Sequence, residues 1–298
     1  MTDAIRHALF GSDGKLRFVW RAVIFYFFGE YVVFPALEWL YELAARSFGI
    51  PDSLNAAAVG FGEFRNFFTA LICTGLFALY ERRRIDSYGL QLGAALKSPT
   101  FEGAAVGIAE CGLVAAGMMA LGGMHVHGLA LSGAALLIMP LAWLAACISV
   151  GLAEEFWFRA YFQQTLWKSI GFWPSSIAIA LIFAAEHYFY KQGENIWDVI
   201  SIVSFSLLAS YSIRRTGTLW FAVGYHAAFD FMQLFVIGTP NGSAIPVGRL
   251  LDVTFTGPAW LTGGVLGTEA SFLDYPALAL AWLFVWWRYR ANPAFEPK

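Results

Sequence analysis

The chain has 298 residues, of which 58% are hydrophobic and 13% charged, with a formal net charge of −2 and a mean hydropathy of +0.59. Those values exclude an ordinary soluble domain, and with no long basic block they exclude a nucleic-acid footprint. They fit an all-α polytopic membrane protein.

From the N-terminus, Met1 to Lys15 is polar, and the apolar run that follows has no small-residue cleavage site before Glu30, so it reads as an anchor rather than a removable signal. A span needs about 20 apolar residues. Suitable windows fall near Phe18 to Leu40, Phe64 to Tyr80, Phe101 to Leu121, Leu129 to Ser149, Trp173 to Tyr190, Ile196 to Ile213, Leu219 to Ile237 and Phe272 to Trp287, which predicts a bundle of about eight transmembrane helices. The fourth continues as a helical pattern to about Lys168. Turn chemistry marks Phe48 to Asp52, Gly122-Gly123, Gly171 to Pro174 and the Gly/Pro-rich stretch Gly238 to Glu269. With no repeat or linker, residues 1–298 read as one membrane domain.

Lys15, Arg17 and Arg21 precede the first window, Arg82 to Arg84 follow the second, Arg214 and Arg215 the sixth, and Arg288, Arg290 and Lys298 the eighth. The opposite side carries mainly Arg46, Arg65, Lys191 and Arg249, so both termini are expected to be cytoplasmic. The aromatic residues, 17% of the chain, read as interfacial belts and packing groups. Cys73, Cys111 and Cys147 lie in apolar runs without disulfide or CxxC spacing and read as small buried hydrophobes.

The chain breaks its own apolar pattern at Glu154-Glu155-Phe156-Trp157-Phe158-Arg159. A charge at the bilayer centre costs about 2.5 to 3.5 kcal/mol on insertion scales, so three within six residues need partners or a purpose. Helical spacing puts Glu155 and Arg159 on one face as a structural ion pair, whereas Glu154 is rotated by about 100° toward Trp157 and Phe158. An apolar surrounding of that kind suits a general base. Two further helices offer Phe183 with His187, and His226 with Asp230, each pair four residues apart. Glu154, His187, His226 and Asp230 can thus converge from three helices around a water, the composition needed to hydrolyse an amide in a membrane cavity. Each group also has a plainer reading. A lone intramembrane His is commonly satisfied by a backbone carbonyl, Asp230 can simply orient His226, and Glu186 can be solvated at a span end. Glu30, Glu110, His125 and His127 carry no pattern and are assigned no role.

Simple threading puts Glu154 near one membrane face and His187 near the other. The two meet only if the acidic helix sits deeper, running roughly from Pro140 to Gln164, or if part of Leu129 to Lys168 is re-entrant; the deeper helix is favoured.

Glu154-Glu155-(x)3-Arg159, Phe183-(x)3-His187 and His226-(x)3-Asp230 stand in order in apolar segments and match the pattern EExxxR, FxxxH, HxxxN or HxxxD. The chain therefore resembles the CPBP family, the CAAX protease and bacteriocin-processing group of intramembrane endopeptidases that includes the type II CAAX prenyl endopeptidases. The resemblance covers a core at about 136–236, with Gly263 to Ser271 similar to a glycine-rich segment before the last span of many bacterial members. It implies that Glu154 activates water with help from His187, that His226 and Asp230 face the scissile carbonyl, and that Glu155 and Arg159 brace the acidic helix. It implies a peptide or protein substrate in or at the lipid bilayer, with the chain integral to a bacterial plasma membrane. An ionised Asp230 would repel an oxyanion, so it must be protonated, metal-bound or orienting His226. A divalent metal such as zinc, held by Glu154, His187, His226 and Asp230, would suit a metalloprotease, but there is no HExxH motif and metal-free water activation fits equally. Two other classes use the same groups: a proton-coupled transporter, for which no inverted repeat is visible, and a non-catalytic scaffold or immunity factor.

Overall fold

The computed structural model describes residues 3–12, 14–51 and 53–297. Met1, Asp52 and Lys298, which enter the sequence argument above, lie outside the described residues.

All eight apolar windows fall on helices, although the fourth begins later than expected, with Leu129 ending a strand and the helix starting at Ala135. They are α1 (Phe18–Phe48), α2 (Ala56–Glu81), α3 (Ser98–Ala120), α4 (Ala135–Ile170), α5 (Phe172–Tyr190), α6 (Ile196–Thr216), α7 (Trp220–Ile237) and α8 (Asp274–Tyr289). Five of them, α1, α3, α4, α6 and α7, are long and apolar enough to cross a membrane. Leu79 and Leu137 are 76% and 75% exposed, a surface that lipid covers without penalty and water does not. The protein is an all-α polytopic membrane protein.

Local chemistry sets several helix ends. Asn55 accepts from the amides of Ala57 and Ala58 to start α2, and Asn195 with Asp198 forms a capping box on α6. Gly49 and Gly217 close α1 and α6 in the left-handed conformation. One element departs from the helical expectation. Met124–Leu129 (β1) pairs antiparallel with Leu251–Phe255 (β2), where short runs alternate in polarity. His125 and His127 are spent on this ribbon, bonding Thr256 and Thr254 at 3.0 and 2.9 Å.

α4 is one continuous helical rod, so the acidic motif lies within its length and no re-entrant loop is needed. It widens into a π turn at Phe158–Phe162, which starts three residues after Glu155 and contains Arg159, and α7 does the same at Phe231–Ile237, directly after Asp230. Such turns shift the side chains that follow them to a new face and are frequent at functional sites. α1 has a third at Gly29–Val33. There Gly29 lies flat against the Trp157 indole, where an added Cβ would sit 2.1 Å from its ring.

α7 packs between α3 and α4 at backbone distance. A Cβ on Gly103 would sit 2.1 Å from the Phe221 carbonyl oxygen, one on Gly107 2.3 Å from that of Tyr225, and one on Gly224 2.2 Å from that of Thr100. On the other side, a Cβ on Gly151 would sit 2.8 Å from the Val223 carbonyl oxygen. In lipid, where the hydrophobic effect gives helices no reason to associate, such close approach supplies van der Waals contact. It also carries His226 and Asp230 toward the acids of α4.

Candidate active site

The centre of the site is the His226 ring. Its Nδ1 donates to Glu155 Oε1 at 2.9 Å. Its Nε2 lies 3.8 Å from Glu154 Oε2 and 3.7 Å from Asp230 Oδ2. Phe205 packs edge-on to the ring at 5.0 Å. One imidazole therefore presents one nitrogen to each of two functions: Nδ1 is held by a fully buried acid, and Nε2 faces the two others.

Glu155 and Arg159 pair at 3.0 Å with neither side chain exposed, as helical spacing predicts. Arg159 also donates to Ser206 Oγ at 2.9 Å and stacks over Phe183 at 5.0 Å. The brace thus spans α4, α5 and α6. Glu155 does more than the spacing alone implies, because the same oxygen that meets Arg159 also fixes His226.

His187 Nδ1 donates to the Phe183 carbonyl at 2.9 Å. This is the backbone satisfaction expected of any buried His, and since a carbonyl can only accept, it leaves Nε2 with its lone pair. His187 lines two cavities. One is a small chamber of about 60 Å³ walled by His226, Asp230, Glu110, Glu269 and Asp274, room for a few waters. The other is a cleft of about 580 Å³ walled by Glu154, Trp157, Phe158, Glu30, Tyr31 and Glu186. Glu154 and His187 thus share the cleft despite the threading argument, while His226 and Asp230 face the inner chamber. Glu186 is not simply solvated; it accepts from Tyr26 Oη at 2.7 Å and lines the cleft.

Glu154 keeps 24% of its side chain accessible, yet its Oε2 is buried without a hydrogen-bond partner. Buried acceptors are almost always paired, so an orphan beside an imidazole calls for an explanation.

Several polar groups that sequence reasoning left unassigned stand close by. Glu110 accepts from Tyr225 Oη and lines the chamber. Gln233 donates to Glu269 Oε2 at 3.4 Å and accepts from Thr268 Oγ1 at 3.0 Å, tying α7 to the Gly263–Ser271 segment. In the loop beyond α5, Lys191 pairs with Glu269 and lies 3.8 Å from Glu194. Burial opposes the Lys191 charge, but Glu269 outweighs it and holds the ammonium above its ordinary range. Burial opposes the Glu269 charge too, and Lys191 brings that carboxyl below its ordinary range. Glu194 is pushed up by burial to about 7.

Among the described residues no group of three or more His, Cys, Asp or Glu side chains is spaced to hold a metal ion. As they stand the donors are not gathered at metal-ligand spacing, although in each histidine Nδ1 is engaged and Nε2 is left open, the arrangement usual for a metal-bound imidazole.

Residues 135–232 match the family described as Rce1-like, Type II CAAX prenyl endopeptidase Rce1-like. The match starts at the first residue of α4 and ends two residues past Asp230, so it contains all three motifs. No curated protein matches the chain.

Proposed function

We propose, from the likeness of residues 135–232 to the Rce1-like family, that this integral membrane protein is an intramembrane endopeptidase. Its substrates are membrane-associated or hydrophobic peptides, and the peptide bond is attacked by a water that Glu154 activates. The observation that carries this reading is the Glu154 carboxylate, with one oxygen buried and unpartnered 3.8 Å from His226 Nε2 and the rest of the side chain open to a 580 Å³ cleft. A carboxylate so placed takes a proton from water while the new hydroxide adds to the carbonyl carbon.

The other residues take separate parts. His187, with Nδ1 committed to Phe183, offers Nε2 to the same water. His226 Nε2 faces the carbonyl oxygen, where a proton on that nitrogen would stabilise the developing oxyanion. Glu155 keeps Nδ1 protonated and the ring oriented, as the buried acid of a hydrolytic triad does. Asp230 orients the ring from the Nε2 side. Collapse of the intermediate breaks the C–N bond, and the proton held by Glu154 passes to the leaving amine. The exposed Tyr31 and Tyr190 at the cleft rim mark where a hydrophobic substrate enters from lipid.

The test is cleavage of a hydrophobic peptide by the purified protein in detergent, read as new amino termini by mass spectrometry. Wild type is expected to cleave, and Glu154→Gln is expected to lose about 10² to 10⁴-fold in turnover, the range of general acid–base contributions. Equal turnover would remove Glu154 from the mechanism.

A further inference from the structure

We propose that Gln233, on α7 one residue beyond the family-matched stretch, is a positioning residue of the hydrolytic site: its side-chain amide holds Asp230 turned toward His226 and ties it to the Gly263–Ser271 segment. The inference rests on the hydrolytic reading above.

The bridge is a chain of direct contacts. Asp230 uses one oxygen on each side: Oδ2 stands 3.7 Å from His226 Nε2, and Oδ1 accepts from Gln233 Nε2 at 3.5 Å. The same amide nitrogen donates to Glu269 Oε2 at 3.4 Å, and Glu269 Oε1 pairs with Lys191. Gln233 Oε1 accepts from Thr268 Oγ1 at 3.0 Å, and that hydroxyl oxygen accepts from the Cys111 thiol at 3.8 Å. The amide is buried with both its polar atoms engaged. Its orientation follows from its partners, because a carboxylate accepts and cannot donate: the nitrogen must face the two acids and the oxygen the hydroxyl. Asp230 and Glu269 wall the small chamber together with His187 and His226.

The segment reaches α7 through its glycines. Gly263 and Gly267 are both left-handed, and a Cβ on Gly263 would sit 1.6 Å from the Gly267 carbonyl oxygen, one on Gly267 2.4 Å from Thr239 Cβ. Thr268 and Glu269 follow directly and are delivered to the Gln233 amide. Backbone groups already fasten this corner: the amides of Gly238 and Thr239 each donate to the Gln233 carbonyl at 2.9 Å, and Ser201 Oγ donates to the Glu269 carbonyl at 3.2 Å. The side-chain bridge is additional to these, and it ends on the carboxylate beside the reactive ring. With a donor on Oδ1, the Asp230 charge stays on the imidazole. Without one, the carboxylate is free to turn toward the position where the oxyanion develops and repel it. Reacting groups keep productive geometry through partners of this kind, one step removed from the substrate.

Two readouts on the purified protein in detergent, taken below its melting transition, test the role. Gln233→Met keeps the length of the side chain and removes both donors. It is expected to lower kcat about 10-fold, the worth of one hydrogen bond to a charged acceptor, with KM changed less than about twofold. Added to Asp230→Ala, it is expected to cause no further loss, because Gln233 acts through that carboxylate. Where Gln233→Met does not fold, Thr268→Val, which removes the hydroxyl that fixes the amide, carries the same expectations. The second readout needs no turnover. The ring nitrogen resonances of His226, assigned by their loss in His226→Ala, are expected to move in Gln233→Met, and to coincide in Asp230→Ala with and without Gln233→Met, while those of His125 stay put. If wild type fails to cleave, the hydrolytic reading falls, and the resonances still decide whether Gln233 sets the ring through Asp230. A wild-type kcat in Gln233→Met, a further loss on top of Asp230→Ala, or His226 resonances that do not move would each overturn the assignment.

Discussion

Glu155 Oε1 stands 2.9 Å from His226 Nδ1 and 3.0 Å from Arg159 Nη1, so one buried oxygen ties the imidazole of α7 to the guanidinium of α4. The brace and the reactive ring are therefore one unit. Glu155→Gln keeps the shape but removes the charge that holds Nδ1 protonated and pairs with Arg159. Turnover is expected to fall by about 10² to 10⁴, by analogy with amide replacement of a triad acid, with a lowered melting temperature from the uncompensated Arg159. Steady-state kinetics and a thermal melt on the same preparation check both parts.

The glycine seam between α3 and α7 supports a second expectation. Gly107→Val places atoms where the Tyr225 carbonyl already sits 2.3 Å from a Cβ, and helices cannot separate without moving His226. The variant is expected to lose at least about 1 to 3 kcal/mol, the usual range for overpacking, and to lose activity with it. Gly112→Ala, on the same helix with no atom within 4 Å of its Cβ, is expected to behave as wild type. A thermal melt of both variants separates the seam from helix propensity.

Away from the site, Glu81 at the end of α2 gathers Arg21 at 3.1 Å, Tyr161 Oη at 2.9 Å and Tyr88 Oη at 3.1 Å. The Glu81 and Arg21 side chains are 6% and 5% exposed. Glu81→Ala leaves Arg21 buried without its partner, which is expected to cost about 3 to 5 kcal/mol. Because the cluster is separate from Glu154, turnover measured below the melting transition is expected to stay near wild type.

The loop beyond α5 should respond to pH. Burial raises the Glu194 carboxyl to about 7. A raised folded value means that its contribution to loop stability is fully present below the ordinary carboxylate range and is lost as pH rises through about 7. Lys191, held above its ordinary range, and Glu269, held below it, keep their pairing throughout that window. Amide exchange across residues 191–195, corrected for its intrinsic pH dependence, is expected to accelerate as pH rises from 4.5 to about 7 and to level off above that. Glu194→Gln is expected to flatten the response.

Much of this was legible in the chain. The eight helices follow from apolar windows, and the motif residues follow from helical spacing, because i to i+4 pairs such as Glu155 with Arg159 are local. The link between Glu155 and His226 was not legible, since Arg159 already accounts for Glu155 and nothing local points to a second partner 71 residues away. Glu110 reads as an isolated acid because the chamber it shares with Asp274 is built by helix packing. The β1–β2 ribbon depends on pairing across more than a hundred residues, which a predominantly helical pattern conceals.

The central claim is that Glu154, which activates the water, and His226, which faces the carbonyl oxygen, act as one unit. The direct measurement is peptide cleavage by the purified protein in detergent for wild type, Glu154→Gln, His226→Ala and the double variant. Groups that act together lose about as much singly as jointly, so both single variants are expected to fall to the level of the double. Wild-type turnover in Glu154→Gln, or losses that multiply in the double variant, would contradict it.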